Sequence, residues 1–382
     1  MYSLAAFGNM LTSQVRMDAY IEALRRTVTP TSVVIDLGSG TGIWSLLACR
    51  VGARRVYAIE ASPAIQILVA AARDNGVSDR IVVLQRRSTE VSLPERADVM
   101  VSDLRGILPP WESHFADIVD ARRRLLAPHG KMIPDTDTLK LAVVSAPEAV
   151  EAARRPWLSA PLDLDLRSAL PYVDSTLVKY RAQPDQLLSA PATWARLHYP
   201  TLVARGVRGT GSCRIERDGT AHGLLAWFDT ELVDGVGFSN APGAPDGIYG
   251  QLLFPWPEAL TVHEGDTVAF DVRADTIASQ VLWTWSTEVR TAEVPATAVR
   301  SFRQSTFQSL PIERESLRRR APEFVPTLST MGVVALQVLE GLRGQRSIGE
   351  LAREMLASNP EYFRTLDDAH GFVAELSQRY AA

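Results

Sequence analysis

The sequence predicts an α/β chain: a doubly wound parallel sheet of the Rossmann-like kind, then a β-barrel or sandwich, then a small helical or winged-helix unit. Three observations carry this. Between residues 31 and 146, short apolar strands alternate with helices, the order that builds a parallel sheet with helices on its faces. After 146, short segments of alternating polarity are divided by turn clusters such as Asn240-Ala241-Pro242-Gly243-Ala244-Pro245-Asp246-Gly247, as in all-β sandwiches and barrels. From 324 onward, amphipathic stretches are joined by a Gly-x-Arg-Gly-x-Arg turn.

In chain order, residues 1–30 form a helical segment, with Leu11, Val15, Ala19 and Leu24 near helical spacing and Pro30 closing it. The first domain, 31–146, has strands at 33–37, 55–59, 81–85, 97–102 and 131–133. Its helices fall at 41–50, 63–75 and 115–126. The second, 147–310, has strands at 211–216, 223–232, 250–254, 267–274 and 281–288, and an irregular or helical insertion at about 150–175. A linker rich in Arg and Glu, 311–326, leads to the last unit, 324–382, with helices at 333–342, 347–356 and 366–380.

Composition excludes several functions. A net charge of −4 over 382 residues gives no basic excess, so no nucleic-acid partner is expected. No apolar run reaches the length of a membrane span, and the first residues lack a signal-peptide pattern. Cys49 and Cys213 cannot make a disulfide framework, and no Cys or His spacing suggests a metal. A reducing cytoplasm is the expected compartment.

The chemistry concentrates in Asp36-Leu37-Gly38-Ser39-Gly40-Thr41-Gly42, with Glu60 eighteen residues on at the end of the next strand. Glycines after a buried strand let a ligand approach the backbone. An acid ending the neighbouring strand can accept from a ribose diol. A dinucleotide site prefers G-x-G-x-x-G. This loop is G-x-G-x-G with an acid two residues before it, the pattern of S-adenosylmethionine enzymes. Asp36 then organises the loop, and Gly38, Ser39, Gly40 and Glu60 hold the cofactor.

Further motifs follow in order. Met10-Leu11, Arg16 and Tyr20 fit a Met-Leu-x-Asp-x-x-Arg segment, Val91-x-Leu93-Pro94 precedes the fourth strand, and the acidic loop runs from Ser102 to Ser113. Trp227-Phe228-Asp229-Thr230-Glu231 and Ser239-Asn240-Ala241-Pro242-Gly243 come later. Over roughly residues 7–295 the chain resembles the protein arginine methyltransferase family. The resemblance implies a homodimer, with 150–175 as its dimerisation arm. It also implies methyl transfer to a nitrogen of a peptide, protein or small-molecule acceptor. In that family's pattern, Arg16 grips the cofactor carboxylate, Thr89 takes the adenine-contacting position, and Asp103 and Glu112 form the acidic pair of the "double-E" loop. Guanidinium is a poor nucleophile with a pKa above 12. Two carboxylates orient it, each worth on the order of 4 kcal/mol at ~4 Å and an effective dielectric of ~20, before desolvation.

The sequence also departs from that pattern. Asp103 replaces the first glutamate, Thr89 replaces another, and Gly247-Ile248-Tyr249 stands for Thr-His-Trp. Arg105 replaces a methionine, and a cation there favours an anionic group. Arg105 and Tyr249 are therefore candidate substrate contacts. The alternatives are O-methylation of a carboxylate or hydroxyl, or a catalytically silent cofactor-binding scaffold. His114 reads as an exposed surface histidine, and Trp111, Trp283 and Trp285 read as packing residues. Residues 336–352 resemble the PqqD-like small winged-helix domains, which implies leader-peptide recognition; a plain helical cap fits the same pattern.

Overall fold

Two helices open the chain, α1 (Leu4–Leu11) and α2 (Gln14–Thr27), where the apolar spacing predicted one. Thr12 and Ser13 break it. The Thr12 hydroxyl donates back to the Asn9 carbonyl at 2.8 Å, the local bonding by which Ser and Thr compete with helix. The computed structural model describes residues 3–159, 163–203, 206–245, 247–277, 280–292 and 298–381. It falls into two units, Met1–Pro311 and Ile312–Ala382.

The first unit contains a parallel sheet of β1 (Val33–Leu37), β2 (Arg55–Ile59), β3 (Ile81–Leu84), β4 (Ala97–Ser102) and β5 (Leu126–Ile133). Its helices are α3 (Ile43–Arg50), α4 (Ile65–Asp74) and α5 (His114–Arg124). The strand order is β3-β2-β1-β4-β5, so the sequence order reverses between β1 and β4. In such sheets the ligand crevice lies beyond the carboxyl ends at that reversal. The glycine loop leaves β1 there and the acidic loop leaves β4 there.

An antiparallel domain follows: β6 (Thr136–Val144), α6 (Pro147–Leu158), α7 (Leu170–Val173), β7 (Val178–Tyr180), β8 (Ala192–His198), β9 (Val207–Arg214) and β10 (Gly219–Val233). It continues with β11 (Val236–Ser239), β12 (Gln251–Val262), β13 (Thr267–Ile277), β14 (Gln280–Arg290) and β15 (Ala298–Ser305). One sheet runs β7-β12-β10-β6-β8, with β11 on β10, and the other β15-β14-β13-β9. Strand β6 pairs with β10 from Thr136 onward, so this sheet starts before residue 147. The aromatic side chains of Trp194, Phe254, Trp256, Trp283 and Trp285 share one core cluster, and the last two are packing residues as expected. Residues 160–162 of the insertion and Asp246 of the turn cluster lie outside the described residues.

The second unit holds α8 (Arg314–Arg318), α9 (Thr330–Arg343), α10 (Ile348–Ser358) and α11 (Leu366–Tyr380) around Val338, Leu351, Met355 and Val373. Ser329, Ser347 and Thr365 cap the longer helices, the last two in full capping boxes. No strand occurs among its described residues. The helical expectation holds there, and the β-hairpin wing of a winged helix has no counterpart. No described helix is long and apolar enough to cross a membrane.

Candidate active site

A cavity of about 390 Å³ opens where β1 and β4 end. This lies within the roughly 300–1,000 Å³ typical of small-molecule sites. The glycine loop forms one wall and α1, through Phe7, Met10 and Leu11, another. Gly38 and Gly40 take left-handed backbone, φ +73° and +53°. A Cβ on Gly40 would sit 2.6 Å from the Phe7 ring, and one on Gly38 would strike Leu104. Only glycine serves at either position.

Glu60 follows β2 and reaches across the loop. Its Oε2 accepts from the Gly40 N–H at 3.0 Å and its Oε1 from Ser62 N–H at 2.8 Å. Ser39 borders the cavity with a buried hydroxyl that has no partner among the described residues. Asp36 lies beneath the loop and does not border the cavity. It accepts from Ser45 Oγ at 2.7 Å, and its other oxygen has no partner among the described residues. Burial pushes its carboxyl up to about 7 against the opposing Ser45 bonds. Thr89 departs from expectation. It sits exposed in the short turn Ser88–Glu90 and does not border the cavity.

From the opposite wall a chain of buried charges runs into the interior. Arg16 donates from Nε to Asp103 Oδ2 at 2.6 Å, with Nη2 at 2.5 Å, and from Nη1 to the Met10 carbonyl at 3.0 Å. Its guanidinium stands 4.8 Å over Trp44, which stacks on Tyr20. Arg105 donates from Nε to Asp103 Oδ1 at 3.3 Å, from Nη1 to Asp137 Oδ1 at 3.0 Å and from Nη2 to the Tyr20 hydroxyl at 2.6 Å. The Tyr199 hydroxyl donates to Asp137 Oδ2 at 2.6 Å. The Tyr249 hydroxyl donates to Asp103, 2.8 Å from Oδ1 and 3.1 Å from Oδ2. Two cations and two anions offset one another within the cluster, as buried charges must. Burial raises the Asp103 carboxyl, but Arg16 and Arg105 outweigh it and hold it below the usual range. Asp137 is raised by burial, which Arg105 only partly offsets.

This corrects the reading of Arg105. It borders the cavity, but its side chain is 1% exposed, three of its five N–H donors go to Asp103, Asp137 and Tyr20, and two carboxylates offset its charge, which disfavours an anionic acceptor there. His114 is corrected as well. It is buried at the start of α5, with Nδ1 3.1 Å from the Pro109 carbonyl, and burial with the Arg105 charge pushes it down to about 3. Glu112 stays exposed on the cavity wall at φ +44°, with no hydrogen bond or ion pair among the described residues. Trp111 beside it lies over Gly106 and is 43% exposed, less a packing residue than expected.

Asp137, Tyr199, Ser45 and Trp44 were not singled out from the sequence. Asp137 carried no signal of its own, because it stands between two threonines at the polar start of β6, ahead of the apolar run.

Residues 15–133 match the family model of the ribosomal protein L11 methyltransferase (PrmA). Residues 158–281 match that of the arginine methyltransferase oligomerization subdomain. The chain is 31% identical over 296 residues to protein arginine N-methyltransferase PRMT10 of Oryza sativa subsp. japonica, covering 68% of this chain and 77% of that protein. It belongs to the protein arginine methyltransferase family. Another relative of this methyltransferase is protein arginine N-methyltransferase 1 of Chlamydomonas reinhardtii, 26% identical over 283 residues, 70% of this chain and 80% of that protein. Its fold resembles the open form of Arabidopsis thaliana protein arginine methyltransferase 10, with TM-score 0.73 and 22% identity over 79% of this chain and 97% of that one. It also resembles the Trypanosoma brucei PRMT1 enzyme-prozyme heterotetramer with AdoHcy, with TM-score 0.70 and 21% identity over 78% and 97%.

Proposed function

We propose that this methyltransferase moves a methyl group from S-adenosylmethionine to a guanidinium nitrogen of an arginine in a peptide or protein. One observation carries the reading: the glycine cradle and the Glu112 carboxylate, which has no partner among the described residues, border the same cavity. The residues present suit the cofactor. The Gly38–Gly40 cradle admits backbone contact, the buried Ser39 hydroxyl lacks a partner among the described residues, and Glu60 offers its remaining lone pairs to a ribose diol. Arg16 borders the cavity and keeps one Nη2 proton for a carboxylate. Asp36 acts from beneath, tying β1 to α3 through Ser45. When bound, S-adenosylmethionine supplies an electrophilic methyl group. Glu112 accepts an N–H of the acceptor and holds its nitrogen towards that methyl, the positioning on which such displacements depend. Asp103 keeps the acidic loop charged and ordered.

The expectation of O-methylation rested on Arg105, which is buried and neutralised, so the nitrogen acceptor is favoured. Homodimerisation through the α6–α7 arm is part of the proposal, supported by the oligomerization-subdomain match and by exposed Trp157, Leu158, Leu164 and Tyr172. A reducing compartment such as the cytoplasm suits the buried, unpaired Cys49 and Cys213. The test is transfer of label from tritiated S-adenosylmethionine to a peptide with one internal arginine. Base-stable label absent from the Arg→Lys peptide and lost in Glu112→Gln supports the function. Base-labile label supports O-methylation of a carboxylate, base-stable label kept by the Arg→Lys peptide supports O-methylation of a hydroxyl, and no label supports a silent scaffold.

A further inference from the structure

Three donors hydrogen-bond Asp103: Nε of Arg16, Nε of Arg105 and the hydroxyl of Tyr249, which lies within reach of both carboxylate oxygens, while Nη2 of Arg16 stands 2.5 Å from Oδ2 as its ion-pair partner. A carboxylate offers about four lone-pair sites, so these partners leave little of this one to an acceptor. The other acids on the cavity wall are also engaged. Glu60 receives two backbone N–H groups and Asp117 receives the Ser113 hydroxyl at 2.6 Å. Glu112 alone has no partner among the described residues. We propose that Tyr249 is a positioning residue that closes Asp103 to the acceptor, leaving Glu112 as the single carboxylate that receives it. The inference rests on the proposed function and narrows it, because the expected acidic pair has one working member.

Tyr249 is built for this task. Its ring is stacked on Phe238 at 6.0 Å and set edge-on to Phe228 at 5.2 Å, which fixes the hydroxyl on Asp103. It borders the main cavity and also a second one of about 300 Å³, lined by Ser13, Gln183, Asn240 and Gln251. Of the donors on Asp103 it alone is neutral, so removing it frees a lone pair without unbalancing the buried charges. The site as it stands suits an acceptor nitrogen held from one side.

The experiment uses the full chain loaded with S-adenosylhomocysteine, titrated calorimetrically with a peptide carrying one internal arginine. Tyr249→Phe should bind that peptide about tenfold tighter, as one charged hydrogen bond becomes available. In turnover it should lower KM while leaving kcat the less affected, a split that general loosening does not produce. Unchanged or weaker peptide binding, with S-adenosylhomocysteine affinity intact, overturns the inference. Should Tyr249→Phe not fold, Tyr249→Leu gives the same two outcomes. Failure of the function itself reads differently, as a parent protein that binds no S-adenosylhomocysteine, and it overturns this inference too.

Discussion

Arg16 and Asp103 form an ion pair at 2.5 Å with both side chains almost wholly shut from water. Arg16 comes from α2 and Asp103 from the end of β4, so the pair ties the N-terminal helix to the ligand end of the sheet. It also joins the residue expected to face the cofactor to one expected to face the acceptor.

Breaking that pair from one side leaves a buried charge uncompensated. Arg16→Met should lower stability by about 3–5 kcal/mol. Arg16→Met with Asp103→Leu should cost less than the two single changes summed, because the stranded charge is gone. Urea unfolding midpoints of the four proteins check this, and strict additivity would contradict it.

Glu60 is half-buried and holds the loop through Gly40 and Ser62. Glu60→Ala should weaken S-adenosylhomocysteine binding by about 10–100-fold, the worth of hydrogen bonds to a charged group. Circular dichroism should stay unchanged. Titration calorimetry reads the loss, and parental affinity would remove Glu60 from the site.

Asp36 gives a signed pH dependence. Its folded pKa is raised from 3.8 to about 7 by burial, so the folded state binds the extra proton. The stability it contributes is fully present below about 3.8 and is lost as pH rises through about 7. Asp36→Asn cannot lose it. Between pH 4 and 8 the variant should therefore gain on the parent, by on the order of 4 kcal/mol at about 1.36 kcal/mol per pKa step. A parallel pH course for the two proteins would contradict the burial of a lone carboxyl.

All residues bordering the cavity lie in the Met1–Pro311 unit. A protein ending at residue 311 should bind S-adenosylhomocysteine as the full chain does. A tenfold loss, about 1.4 kcal/mol, would show that the C-terminal helices take part.

The cofactor side was legible because it is local. A strand, a glycine turn and an acid on the next strand lie close together in sequence, and left-handed φ at Gly38 and Gly40 leaves its mark as glycine. The acceptor side depends on long-range pairing. Nothing near Arg105 in sequence shows that Asp137, Tyr20 and Phe228 surround it, so a paired, buried cation read as one offered to an anionic acceptor. Tyr249 stands where the family pattern has a tryptophan, but its bond to Asp103 spans 146 residues and has no sequence pattern. Strand β6 was missed because the polar Thr136-Asp137-Thr138 start hides its pairing with β10.

The central claim is met most directly by locating the transferred methyl group. The full chain is incubated with S-adenosylmethionine and a peptide bearing one internal arginine, and the product is fragmented in a mass spectrometer. A 14 Da increment on the guanidinium group is the expected result. An unmodified peptide, or an increment on a carboxylate or hydroxyl, would contradict it.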